Sequence, residues 1–355
     1  MQSDRLEFLQ RLMETICPTG YEEDACRVWR EEAETFADRT WTDVHGNGIA
    51  VVNEGGNPRV LLAGHIDEIG LQITHINEQG YLYFVGIGGW DVQILPGQRV
   101  RIKTANGVLI GAIGRKAIHM MQPEDRKKVA KMEDLWIDIG AKDFDEAASL
   151  VEIGDPAVLD FDMVPLRNDL YVGRGFDDRI GAFIALEAAR LVSEMNPRAA
   201  VYAVATVQEE IGARGAITSG HGIDPHVGIA IDVSHTTDTP SMQEYKKRIG
   251  VNEMGKGPII TRGANANPKL FSYLKQAGDR NDIPYQIHAY PRGTGTDGNV
   301  LQLVRQGVAT AIIGVPNRYM HSPSEVVHLG DVENCARLIA HTVAEMDETT
   351  DFIPS

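Results

Sequence analysis

Cysteine is scarce in this chain: three in 355 residues, Cys17, Cys26 and Cys335. The number is odd and the spacing is of no metal-binding type, so they read as reduced thiols of the cytosol. Long apolar runs are also missing. None approaches the roughly 18–20 residues of a membrane span, so no membrane partner is expected. Met1-Gln2-Ser3-Asp4-Arg5 leads into a polar amphipathic pattern, not an apolar signal core, which points to a cytoplasmic protein. Positive charge is in deficit, with 34 Lys and Arg against 50 Asp and Glu and a formal net charge of −16. That balance argues against a nucleic-acid surface. It suits a cation-binding protein, or one whose acidity only aids solubility.

No low-complexity tract interrupts the chain, and its length is enough for two domains. Leu6, Leu9, Leu12 and Met13 recur at helical spacing. After Pro18-Thr19-Gly20 a second helix is expected from Tyr21 toward Trp29, then a buried strand at Arg59–Ala63. From about Gly70 to Pro165 the texture turns β-rich, with strands expected around Leu71–Thr74, Tyr81–Val85, Arg99–Lys103 and Val108–Ile113. Asn106-Gly107 marks a hairpin. Brief helices are expected around Glu124–Leu135 and Asp145–Val151. Beyond Pro165 strands alternate with helices: a helix from Ile180 to Met195, strands at Val201–Val207, Val227–Ile231, Gln286–Ala289 and Ala309–Val315, and a last helix near Asp331–Asp347.

The fold class is therefore α/β, a mostly parallel central sheet covered by helices, interrupted by a small inserted β-rich domain. The expected domains are 1–69 with 166–355, and 70–165 inserted between them.

In open α/β sheets ligands bind beyond the carboxyl ends of the strands. His65 follows the strand ending at Ala63, and Glu209 and Glu210 follow the one ending at Val207. Asp232 closes Val227–Ile231, His321 lies in the loop after Val315, and Asp177 stands just before the long helix. Singly each has a bland reading: a hydrogen-bonded histidine, a solvated acidic pair, a strand-end carboxylate. Together they form the donor set of two divalent ions, since imidazole and carboxylate suit zinc and similar metals and one carboxylate can bridge a pair. A glutamate left over can serve as base for an attacking water. Asp67 either accepts a hydrogen bond from the second imidazole nitrogen of His65 or is a turn residue. Arg292 is either a loop arginine or a feature favouring acidic substrates.

The stretches Ala63–Gly70, Phe176–Arg179, Val207–Gly212 and Arg318–Pro323 carry a family resemblance, together with Pro18–Glu22, Gly255–Pro258 and Gly295–Asp297. The chain resembles the tetrahedral (TET) aminopeptidases of the glutamyl and deblocking aminopeptidase family, some members of which are labelled endoglucanase. The resemblance implies that Asp177 bridges two metals, zinc or cobalt. It implies that His65 and Asp232 complete one site, Glu210 and His321 the other. It makes Glu209 the general base and acid and Asp67 the support of His65. It also implies attack by a metal-bridging hydroxide on peptides with a free N-terminus, and a homododecamer built from dimers through a PDZ-like inserted domain. The alternative is a related metal-dependent amide hydrolase acting on N-acylated substrates.

Overall fold

The apolar runs at Val60–Ala63, Val201–Ala205 and Val227–Ile231 show no alternation of polar and apolar residues because they lie side by side in a sheet covered on both faces. A computed structural model describes residues 1–354. The chain opens with α1 (Ser3–Glu14), α2 (Glu23–Ala33), β1 (Arg39–Thr42), β2 (Gly48–Val52) and β3 (Arg59–His65). The insertion follows, with β4 (Gly70–Ile76), β5 (Leu82–Ile87), β6 (Arg99–Thr104), β7 (Gly107–Gly114), β8 (Trp136–Asp138), α3 (Phe144–Leu150) and β9 (Pro156–Leu159). Next come β10 (Val164–Pro165), β11 (Leu170–Gly173), α4 (Phe176–Ser193), β12 (Ala200–Thr206), α5 (Arg214–Ile223) and β13 (Val227–His235). Then α6 (Lys246–Ile249), β14 (Ile259–Gly263), α7 (Pro268–Arg280), β15 (Gln286–Tyr290) and α8 (Gly298–Leu301) lead to β16 (Ala309–Asn317), β17 (Glu325–His328) and α9 (Leu329–Ala344).

The main sheet has eight strands in the order β1-β2-β12-β3-β13-β16-β14-β15. Its centre, β12-β3-β13-β16, is parallel, while β2 and β14 run antiparallel to their central neighbours. The register places Thr206 opposite His65 and Asp232 opposite Gly314, so these strands finish together at one edge. Side chains alternate across the sheet. Val60 and Leu62 face the larger core, with Trp29, Phe183 and the apolar side of α9. Leu61 and Ala63 face the smaller one, with Tyr202, Ala216 and Leu301. The mostly parallel α/β sheet expected from the sequence is the sheet found.

One close approach sets the geometry of that edge. A Cβ on Gly64 of β3 would lie 2.1 Å from the carbonyl carbon of Gly181 in α4. Only a glycine at this point of β3 lets helix and strand meet this tightly, and that contact brings the start of α4 beside His65.

The insertion closes into a six-stranded barrel, β4-β5-β8-β7-β6-β9, around Leu71, Ile73, Val100, Ile102, Ile113 and Ile137. The expected hairpin turns between Thr104 and Gly107, where Gly107 takes φ +116°. The helix expected at Glu124–Leu135 does not form. The segment holds only short 3-10 turns at Asp125–Lys127 and Met132–Asp134. It buries Ala130 and Leu135 but leaves Val129 exposed, so there is no apolar stripe for a helix to pack along. Among the described residues no helix is long and apolar enough to cross a membrane.

Candidate metal centre

His65, the last residue of β3, is buried, and its Nε2 lies 3.2 Å from Asp177 Oδ1. His321, after β16, points its Nε2 at the other oxygen of the same carboxylate, 3.3 Å from Asp177 Oδ2. One aspartate thus faces two imidazoles through separate oxygens. Glu210 Oε1 stands 3.5 Å from His321 Nε2, and Glu209 Oε2 stands 3.9 Å from His65 Nε2. Candidate ligand atoms of His65, Asp177 and Glu210 all lie within 4.8 Å of one another, and so do those of His65, Asp178 and Asp232. The edge therefore brings together the residues expected from the sequence as ligands, base and support, and adds Asp178.

Both imidazoles are oriented from behind. His321 Nδ1 lies 2.8 Å from the Gly89 carbonyl, and His65 Nδ1 lies 3.1 Å from the Asp67 carbonyl. A carbonyl only accepts, so each Nδ1 carries a proton, and a cation taking the place of the Nε2 proton would meet that nitrogen's lone pair. The Asp67 carboxylate is farther from His65, 3.4 Å from Nδ1. Its oxygens take the backbone N–H groups of Glu209 and Glu210, at 3.1 and 3.3 Å, and the Thr19 hydroxyl at 2.7 Å. Asp67 thus anchors the acidic loop as well as lying behind the histidine.

Local backbone explains why the ligands project as they do. Asp177 falls at the start of α4 but has non-helical angles, φ −78° and ψ 105°, which turn it out of the helix. His321 sits at φ +59°, in the left-handed region. Glu325, at the head of β17, holds both ligands in place. Its Oε2 accepts the N–H of Asp177 and its Oε1 the N–H of His321, each at 2.9 Å. Sequence reasoning missed Glu325. The available signal was a carboxylate opening an apolar strand, Glu325-Val326-Val327, where a buried acid needs partners. It included Asp297 and Glu22 in its resembling stretches without a role: Asp297 accepts the Thr206 hydroxyl at 2.5 Å, and Glu22 accepts the N–H groups of Gly20 and Gln208.

Electrostatics show how crowded the acids are. Burial pushes Glu209 up to about 8 against the pull of His65, and burial with Asp177 pushes Glu210 to about 7. Burial and Asp177 also raise Asp232. Burial would raise Asp177, but hydrogen bonds from His321 and His65 bring it below the usual carboxylate range. The bond to Asp177 lifts His321 to about 9, and Asp177 and Asp67 raise His65 despite its burial. Glu210 Oε1 is buried with no hydrogen-bond partner, as an oxygen reserved for a cation would be. A set of carboxylates and Nε2 lone pairs without thiolate fits divalent metal ions.

The comparisons agree with this chemistry. A family model described as M42 glutamyl aminopeptidase matches residues 46–338. A lysyl aminopeptidase of Pyrococcus furiosus is 36% identical over 98% of this chain and 99% of its own. The crystal structure of a TET aminopeptidase from Thaumarchaeota archaeon SCGC AB-539-E09 superposes with a TM-score of 0.92, at 34% identity over 97% of both chains. Pyrococcus horikoshii TET1 peptidase, described as assembling into a tetrahedron or a large octahedral shell, gives a TM-score of 0.86 at 32% identity, covering 96% of this chain and 100% of that one. Fold and site together define a metallo-aminopeptidase. The chain belongs to the M42 glutamyl aminopeptidase family, whose TET members share its architecture.

Proposed function

We propose that this aminopeptidase works with two divalent ions, zinc or cobalt, on peptides with a free N-terminus. The observation that carries the reading is the Asp177 carboxylate, one oxygen toward His65 and the other toward His321. Asp177, His65 and Asp232 would hold one ion, and Asp177, Glu210 and His321 the other. Ions bound there would acidify a water and polarise the scissile carbonyl. Glu209, beside His65 but not needed as a ligand, takes the proton from the attacking water and passes it to the departing amine. Asp67 keeps Glu209 in place through its backbone N–H. The free amine of the substrate is cationic, and the acidic side chains of the site would receive it.

Solved TET structures described as a dodecamer and as a tetrahedron or large octahedral shell support a homododecamer for this chain, and the same proposal builds it from dimers, partly through the 70–165 segment, in the cytoplasm. Their names, lysyl in one case and glutamyl for the family, differ and so do not fix the first residue taken.

The test is a peptide panel presented with free and with acetylated N-termini, using chelator-stripped protein with and without added zinc or cobalt. Metal-dependent release of first residues from the free peptides alone is expected. Cleavage of the acetylated peptides would move the enzyme to hydrolysis of N-acyl substrates.

A further inference from the structure

The metal ligands occupy only part of a larger cleft of about 670 Å³. Its wall also includes His235, Ile249, Thr261, His288, Tyr290 and Ile312. Thr261 and His288 are paired across β14 and β15, the strands beyond β16 at the sheet margin, and Tyr290 ends β15. Every Asp or Glu lining the cleft belongs to the ligand-and-base set, and no Lys or Arg lines it.

Cations on neighbouring elements are engaged elsewhere or, like Lys247 and Arg248 beside Ile249, are exposed and outside the cleft lining. Arg318 makes a two-point contact with Asp238, Arg262 lies over the Phe271 ring, and Lys246 is within 4.0 Å of Glu253. Arg292, on the loop after β15, is exposed and does not line the cleft. Outside the candidate metal centre, whose His65 and His321 also line the cleft, two described histidines are all that could supply positive charge, and burial lowers both His235 and His288, leaving them neutral at neutral pH. The rings of His288 and Tyr290 meet edge-on with centroids 5.8 Å apart. Ring surfaces and two isoleucines make an uncharged, partly apolar wall.

We propose that the first side chain of the peptide enters this part of the cleft, so that the enzyme takes uncharged aliphatic or aromatic first residues in preference to Glu or Lys. A charged side chain placed there sheds water without meeting a counter-charge. An apolar one gains from leaving water and from contact with the rings. The inference rests on the aminopeptidase reading and adds the substrate class to it.

The experiment compares kcat/KM for free-amine peptides alike except for Leu, Phe, Glu or Lys in first place, with the metal-loaded full chain. Leu and Phe are expected to exceed Glu and Lys by more than about tenfold. If the Glu or Lys peptide is best, the inference falls while the aminopeptidase stands. If no free-amine peptide is cleaved, both fall. The location is tested by His288→Lys and, on a second element, Ile249→Arg. Each places a cation in the wall and should raise the Glu-to-Leu ratio of kcat/KM about tenfold. Ratios taken within one preparation do not depend on how much of it is folded. Ratios unchanged in both variants would overturn the placement. Competitive inhibition by free leucine but weakly by free glutamate is expected as well, and the reverse order would count against it.

Discussion

The Glu209 backbone N–H donates to Asp67 Oδ1 at 3.1 Å, so the position of the proposed base is set by a residue 142 positions earlier in the chain. The same buried carboxylate takes the Glu210 N–H and the Thr19 hydroxyl on its other oxygen. An asparagine offers only one acceptor oxygen, so Asp67→Asn leaves at least one of these donors facing an amide NH2 group. We expect kcat to fall about 10–100-fold with an unchanged circular dichroism spectrum. A kcat within twofold of the parent would show that the loop holds itself.

Glu209 and Asp177 should separate chemistry from metal retention. Glu209→Gln keeps the ligand set and should keep metal by elemental analysis, while kcat falls about 10²–10⁴-fold. Asp177→Ala removes the carboxylate that faces both imidazoles and should retain far less metal after dialysis. Full metal content in Asp177→Ala would rule out a shared ligand at this position.

The contact between β3 and α4 leaves no room for a methyl group. In Gly64→Ala the new Cβ would meet Gly181 and Ala182 backbone atoms at 2.1–2.4 Å. The expected cost is about 1–3 kcal/mol, read as a lower denaturation midpoint, with weaker metal retention because His65 and Asp178 flank the contact. Gly55→Ala is the control, since nothing lies within 4 Å of its Cβ, and it should leave both unchanged.

Glu22 makes stability depend on pH. Burial raises its folded pKa to about 7 from an ordinary 4.5. Folding therefore favours the protonated form, so the stability tied to it is present below about pH 4.5 and is lost as pH rises through about 7. Glu22→Gln keeps an acceptor oxygen for Gly20 and Gln208 and cannot ionise. The parent-to-variant difference in unfolding midpoint should grow from pH 5 to pH 8, in favour of the variant. A constant difference would remove Glu22 from the titration.

Elements with a strong periodic signal were legible in the sequence. The stripe Leu9, Leu12, Met13 became the buried face of α1, and the stripe from Ile180 to Val192 that of α4. Uninterrupted apolar runs became β3, β12 and β13. The short strands β1 and β14 escaped notice. β1 is a half-exposed margin strand, Arg-Thr-Trp-Thr, with no clear alternation, and β14 is five residues long with two exposed. At the site, residue types at strand ends were readable because carboxylates and histidines are costly there without partners. Glu325 was not, because its role is to hold the backbone N–H of Asp177, 148 positions away, together with that of His321 four positions away, and such contacts exist only once the loop has folded. Asp178 went without a role for a similar reason. It acts through the His65 N–H at 3.1 Å, which no spacing in the chain reveals.

The hydrogen bond from His321 to the Gly89 carbonyl ties one half of the candidate metal centre to the loop between β5 and β6 of the barrel. No side chain is involved on the barrel's part, so substitutions elsewhere in that loop would leave the tie intact, whereas a Cβ on Gly89 would crowd His321 Nδ1 at 3.3 Å and excising the barrel would sever the tie. The insertion is thus not a detachable accessory. A shortened chain joining β3 directly to β11 would keep His321 but lose what aims its ring, and grafting another module at this point would succeed only if it presented a carbonyl at the same place.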